Sequence, residues 1–462
     1  MWPEVKQMDF KKEMYAYKDA MLSDLKTLCQ IPSTMDTEHA SEGAPFGPAC
    51  REALDAMLAI GTRDGFETDD CDGYAGAIFI GEGDEDFGIL GHLDVVPANM
   101  TGWDYPQYDC TLDGDMLYGR GVADDKGPLL AAYYAAKFVN TLDIDTRYRV
   151  RVIFGCNEEN GSKCVEHYFK HRPYPAMGFT PDAEFPVAYG EKGISQYVLT
   201  GSGLTGDILA IDAGTQVNVV PETAVAKVTL AKDTLEESFN AFLNENPVAG
   251  TLSAEGNTTV ITVVGKSAHG SMPEDGINAL VYLCHYLNSV TDNAIVKAMD
   301  ENFFEDVNGE KFGVGYTGVM GATSLNAGVV HADTNSIFLE LDIRYSSELT
   351  EDAVEEKAQA FAKPLGLTCD HTFAHPLYID PESELITKLQ GAYVAISGDT
   401  ENGPMYMGGG TYAKEMPNCV AFGAEFPGRD NAFHQNNEHI LLEDLLDASA
   451  IYAKAIYDMI KS

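Results

Sequence analysis

Between about residues 76 and 180, short apolar runs alternate with helical stretches, and nothing else in the chain constrains its fold as tightly. Residues 87–90 and 148–154 read as strands, and 128–138 as a helix with Pro128 in its first turn. Such alternation predicts an α/β sheet covered by helices on both faces. Upstream, Met14, Leu22, Leu25 and Leu28 have helical spacing within 9–30, a stretch that stops before Ile31-Pro32. After Gly190 the pattern changes. Residues 224–231 and 258–264 alternate as half-buried strands do, and 277–290 reads as an amphipathic helix. Residues 336–345 and 368–373 read as further strands, flanking a helix at 352–362. From about Leu385 the earlier alternation resumes and runs to the end. The economical prediction is a discontinuous α/β domain, 1–190 plus 385–462, interrupted by an α+β insertion over 191–384. The insertion looks doubled, with one strand–helix set around 224–290 and another around 336–379.

Charge narrows the list of partners. Seventy-two acidic against 30 basic side chains give a formal charge of −42. A surface of that sign repels nucleic acid and anionic membrane, so neither is expected as a partner. The nine cysteines are odd in number and none sits in a CxxC pair, which reads as reduced thiols in a reducing compartment. The first twelve residues mix Glu4, Lys6, Asp9, Lys11 and Lys12 with single apolar residues, unlike a secretory signal. No run approaches the roughly 18 apolar residues of a membrane span. A soluble cytoplasmic protein is the expectation.

Five short motifs carry chemistry. In Gly91-His92-Leu93-Asp94, His92 ends an apolar strand, and Asp94, two residues on, shares its face and can reach the second imidazole nitrogen. H-x-D alone is equally compatible with a structural histidine. Asp124 and Asp125, between glycines and a helix, suit a tight turn presenting a carboxylate that bridges two metals, or simply a helix cap. Glu158 and Glu159 follow a strand and can divide labour, one ligating metal and the other serving as general base; a solvated loop pair is the alternative. Asp182 and His434 are each weak alone. Together, His, Asp, Glu, Asp and His give oxygen- and nitrogen-rich ligation that suits zinc or manganese.

The chain resembles the aminoacylase, glutamate-carboxypeptidase and dipeptidase family of dinuclear metallopeptidases, and within it the bacterial PepV-type dipeptidases. The resemblance rests on GHLDVVP, GRGVADDKGP, NEENGS, TPDAEFP, SAHGSMPEDGINA, GGGTYAKEMPN and FHQNNE, in the family's order between about residues 91 and 438. The 32-residue step from His92 to Asp124 also agrees. The resemblance implies a zinc-peptidase-like catalytic domain, its mixed sheet covered by helices, interrupted by a lid. It implies two divalent ions, zinc or else manganese, bridged by Asp124. His92 and Asp182 would hold one, Glu159 and His434 the other. Glu158 would be the general base, Asp94 would orient His92, and the Asp124–Asp125 peptide would be cis.

On the insertion, the resemblance assigns His269 to the substrate's developing oxyanion, with Asn218 assisting. It assigns Arg344 to the substrate's free carboxylate, together with the backbone N–H groups of Gly408, Gly409 and Gly410. The implied activity is hydrolysis of short peptides, foremost dipeptides with a free N-terminus. The alternative is an amidohydrolase acting on N-acyl amino acids or on substrates of the succinyl-diaminopimelate type. Many relatives have a smaller lid that dimerises, the partner supplying the histidine; here the doubled insertion predicts a monomer that supplies its own His269. The pairs His167/His171 and His371/His375 lack HExxH and read as structural, the first as a solvated helical face. No G-x-S-x-G is present.

Overall fold

In the computed structural model the described residues are 8–99 and 101–462, so the first residues of the stretch that argues against a secretory signal lie outside them. The chain separates into two compact units. The first comprises Met1–Gly190, Ile379–Met405 and Thr411–Ser462; the second comprises Glu191–Tyr378 and Tyr406–Gly410. The second boundary thus falls six residues before the expected 385, and a five-residue segment of the C-terminal part joins the second unit. Hydrogen bonds to its carbonyls explain that segment: Lys192 N–H donates to that of Met407 (2.9 Å), and the Arg344 side chain, through Nη1, to that of Gly408 (3.0 Å).

In the first unit a mixed sheet runs in the order Glu67–Cys71, Ala75–Ile80, Tyr148–Gly155, Glu85–His92, Met177–Thr180, Cys419–Phe422, Val187–Glu191. Its centre is parallel, from Tyr148–Gly155 across to Cys419–Phe422. The flanking strands are antiparallel. Ile89, Leu90, Val152, Ile153, Phe179 and Val420 are fully buried, as expected of parallel strands covered on both faces. The helix Lys126–Val139 is buried along almost its whole length and packs on the C-terminal helix Leu442–Ile460. Its first residue, Lys126, is itself buried. Its Nζ donates to the carbonyls of Leu28 and Ile31 (both 2.9 Å), which also accept the backbone N–H groups of Ile31 and Ser33, and so ties this helix to the end of the helix Lys18–Cys29. The helix predicted over 9–30 is two, Phe10–Tyr15 and Lys18–Cys29; bonds from Ala16 N to Glu13 O and Tyr17 N to Met14 O tighten the break.

The second unit is built on one eight-stranded sheet. One half runs Ala249–Glu255, Thr258–Val264, Thr223–Val228 and Ile208–Ala213, of which the first three belong to the first strand–helix set. Ser324–Asp333, Ser336–Tyr345, Gly193–Ser202 and Thr368–Ala374 complete it. All these pairings are antiparallel. Burial alternates along Gly193–Ser202 and Thr258–Val264, so one face carries the core. Tyr197, Leu199, Ile261 and Leu341 meet Phe239 and Leu283 of the helices Lys232–Glu245 and Ala279–Val290 there. Among the described residues no helix is long and apolar enough to cross a membrane. All nine cysteines are free.

Candidate metal centre

The parallel strands of the first unit all end at one edge of the sheet, where open α/β folds gather functional residues. His92 closes the strand Glu85–His92, Glu158 and Glu159 follow Tyr148–Gly155 after two residues, and Asp182 follows Met177–Thr180 after one. Asp124 and Asp125 precede the buried helix Lys126–Val139, joined by a cis peptide bond. His434 comes from the loop before the last helix, with a left-handed backbone (φ 61°). The fold thus brings together the residues the motifs singled out on this unit.

Their geometry centres on Asp124. Its Oδ1 lies 3.0 Å from Nε2 of His92, and its Oδ2 lies 3.0 Å from Nε2 of His434. The second histidine is also 3.1 Å from Oε2 of Glu159, and the first 3.6 Å from Oδ2 of Asp182. Donor atoms of His92, Asp124 and Glu159 lie within 4.8 Å of one another, as do those of His92, Glu158 and Asp182. Glu158 therefore shares the ligands' space and is not set apart from them. Nδ1 of His92 donates to the backbone carbonyl of Asp94 (2.9 Å), which makes Nε2 the nitrogen that faces the carboxylates.

The Asp94 carboxylate stands 3.6 Å from Nδ1 of His92, whose nearer partner is the Asp94 main-chain oxygen. It also accepts the backbone N–H groups of Glu158 (3.1 Å) and Glu159 (3.2 Å), fixing the turn that carries both glutamates. The alternation rule put the side chain on the right face but could not say which donor it would meet.

Two contributors lie in motifs quoted from the sequence but were given no role there. Glu438, fully buried, accepts N–H groups from Gly121 (2.9 Å), Ala123 (3.0 Å) and Asp124 (3.2 Å) on Oε1, and Arg120 Nη1 (2.6 Å) on Oε2. It locks the Asp124 loop to the loop bearing His434. Asp125 accepts the backbone N–H of His92 (3.0 Å) and so ties the same turn to the strand end. Glu438 closes the FHQNNE motif four positions after the candidate ligand His434, and that motif is its signal in the sequence.

Buried carboxylates here outnumber imidazoles, and the electrostatics follow. Burial pushes Glu158 and Asp125 well above the usual carboxylate range, and burial with the Asp124 charge pushes Asp182 and Glu438 up to about 7. The Asp124 and Glu159 carboxylates hold His434 up to about 10. Such a cluster of oxygen and nitrogen donors, short of positive charge, fits hard or borderline divalent cations.

Residues 88–458 match peptidase family M20/M25/M40. The chain belongs to this family. It is a metallopeptidase, a hydrolase of peptide bonds. A "Putative dipeptidase" of Staphylococcus epidermidis (strain ATCC 12228 / FDA PCI 1200) is 37% identical to this M20 peptidase over 465 residues, 97% of this chain and 98% of the relative. One of the same designation from Staphylococcus aureus (strain USA300) is 37% identical over 471 residues, covering 97% and 99%. Among solved structures, the fold is similar to that of human carnosine dipeptidase 1 (TM-score 0.57, 14% identity, 97% and 98% covered). It is also similar to that of the di-peptidase Dug1p of Saccharomyces cerevisiae (TM-score 0.58, 14%, 97% and 98%).

Within the second unit of this M20 peptidase, the expected substrate residues converge. The Asn218 carbonyl accepts Gly270 N–H (2.7 Å), and Val219 bridges to His269. Arg344 is buried, its Nε held by both Asp342 oxygens (3.0 and 2.9 Å) and its Nη1 by the Gly408 carbonyl (3.0 Å). Gly408 packs on Ser271, where a Cβ would come within 2.5 Å of that side chain. Nδ1 of His269 accepts Ser271 N–H (3.1 Å), which places the ring proton of the neutral form on Nε2. Loss of solvent and the Arg344 charge lower the His269 pKa.

Proposed function

We propose that this chain is a dipeptidase in which Asp124 bridges two divalent cations, zinc or manganese, working as a cytoplasmic monomer. One observation carries the reading: the two oxygens of a single buried carboxylate each meet a different imidazole, 3.0 Å away. Such a pair of ions, when bound, would polarise the peptide carbonyl and lower the pKa of the attacking water. His92 and Asp182 would hold one ion, Glu159 and His434 the other. Glu158 takes the proton of the attacking water and delivers it to the leaving amine. His269, neutral with its proton on Nε2, donates to the developing oxyanion, with Asn218 assisting. Arg344 and the N–H groups of Gly408, Gly409 and Gly410 receive the free C-terminal carboxylate. The dipeptidase names of relatives matching almost end to end support the substrate class.

The test is a substrate panel offered to metal-stripped protein with zinc or manganese restored. Metal-dependent cleavage confined to free dipeptides is expected. Preference for acetylated dipeptides or N-succinylated amino acids would move the enzyme to the sister amidohydrolases, and cleavage of no substrate with either ion would overturn the reading.

A further inference from the structure

His167 and His171 stand four apart on the helix Lys163–His171, a spacing expected to give no more than a solvated face. The fold brings them a third donor from elsewhere in the chain. Cys71, buried at the end of the strand Glu67–Cys71, presents its sulfur so that Sγ and one nitrogen of each imidazole lie within 4.8 Å of one another. Among the described residues the other such groups contain no cysteine.

Both rings are prepared for ligation. Nε2 of His167 donates to the Asp72 carboxylate (3.0 Å), which leaves the lone pair on Nδ1. Nδ1 of His171 donates to the His167 carbonyl (2.9 Å), which leaves the lone pair on Nε2. A carboxylate or carbonyl on the second nitrogen is the usual partner of a metal-bound histidine. Tyr74 stacks on His167 with centroids 3.9 Å apart and fixes the plane of the ring. Arg172, next to His171 in sequence, is turned onto Asp69, to which Nε and Nη2 both donate at 2.7 Å.

We propose that Cys71, His167 and His171 form a further metal site, distinct from the Asp124 centre and suited to zinc rather than manganese. Sulfur and imidazole ligands select the softer ion, and one open position remains for water. Binding replaces the Cys71 S–H bond with an S–metal bond and releases the proton to solvent. The ion would join the end of the helix to the end of the strand.

Cobalt(II) titration of the full-length protein tests this, because among the described groups that could hold a metal only this one offers a thiolate. The expected result is thiolate-to-cobalt charge-transfer absorption that zinc abolishes. Cys71→Ser and His171→Ala should each remove that band while dipeptide hydrolysis is unchanged, and Asp72→Asn should weaken the site about tenfold. His171 is exposed, so its loss leaves the core intact and separates ligation from misfolding. Absence of the band in the unaltered protein would overturn the proposal, as would its survival in either ligand variant. Neither result bears on the Asp124 centre.

Discussion

In the first unit the central strands run parallel and are buried on both faces, whereas in the second the sheet is antiparallel and burial alternates along its strands. The difference decides how each collects polar residues. Parallel strands end together, so His92, Glu158, Glu159 and Asp182 meet at one edge although they are scattered through the sequence. An antiparallel sheet has no such common edge. Its polar cluster is assembled pairwise instead, Asn218 to Gly270 and Asp342 to Arg344 to Gly408. Chemistry is thus concentrated by topology in one unit and by individual contacts in the other.

That contrast can be broken by substitution. The largest effect is expected from Glu158→Gln, which should lower kcat by ~10²–10⁴-fold while both ions are retained. Full activity measured alongside an unchanged metal content would remove the general-base role. Glu438→Ala should weaken metal binding by about 10–100-fold, the usual effect of losing a group that positions ligands. Calorimetric titration reads that shift, and unchanged affinity would mean that the Asp124 loop holds itself. In the second unit, Arg344→Ala should raise KM for free dipeptides roughly tenfold or more, with little effect on amidated ones. Equal kinetics on both substrates before and after substitution would assign the carboxylate elsewhere. Smallest of all should be the effect of dilution: sedimentation should find a monomer with constant specific activity, while an obligate dimer losing activity on dilution would mean that His269 serves a partner's site.

Much of this arrangement is legible in local sequence. The strands read at 87–90 and 148–154 and the helix read at 128–138 lie within Glu85–His92, Tyr148–Gly155 and Lys126–Val139, and the ligand motifs sit where those elements stop or start. What escaped depends on contacts between distant segments. Glu438 meets the Asp124 loop across more than 300 residues, and Cys71 reaches His167 across 96, so no window of sequence contains either pair. Asp94 marks an intermediate case. Its face is legible, but the N–H groups of Glu158 and Glu159 that its carboxylate also accepts belong to the next strand's loop. The segment 406–410 escaped for a similar reason, since its affiliation rests on hydrogen bonds from the Lys192 backbone and the Arg344 side chain.

The central claim is that one carboxylate, Asp124, bridges two ions at the edge of the parallel sheet. Anomalous diffraction from zinc-loaded crystals addresses it most directly. Two peaks about 3.5–4 Å apart, one on each oxygen of Asp124, are predicted. One beside His92 and Asp182 and the other beside Glu159 and His434 would complete the assignment. A single peak there, or two that leave Asp124 bound to only one, would contradict it.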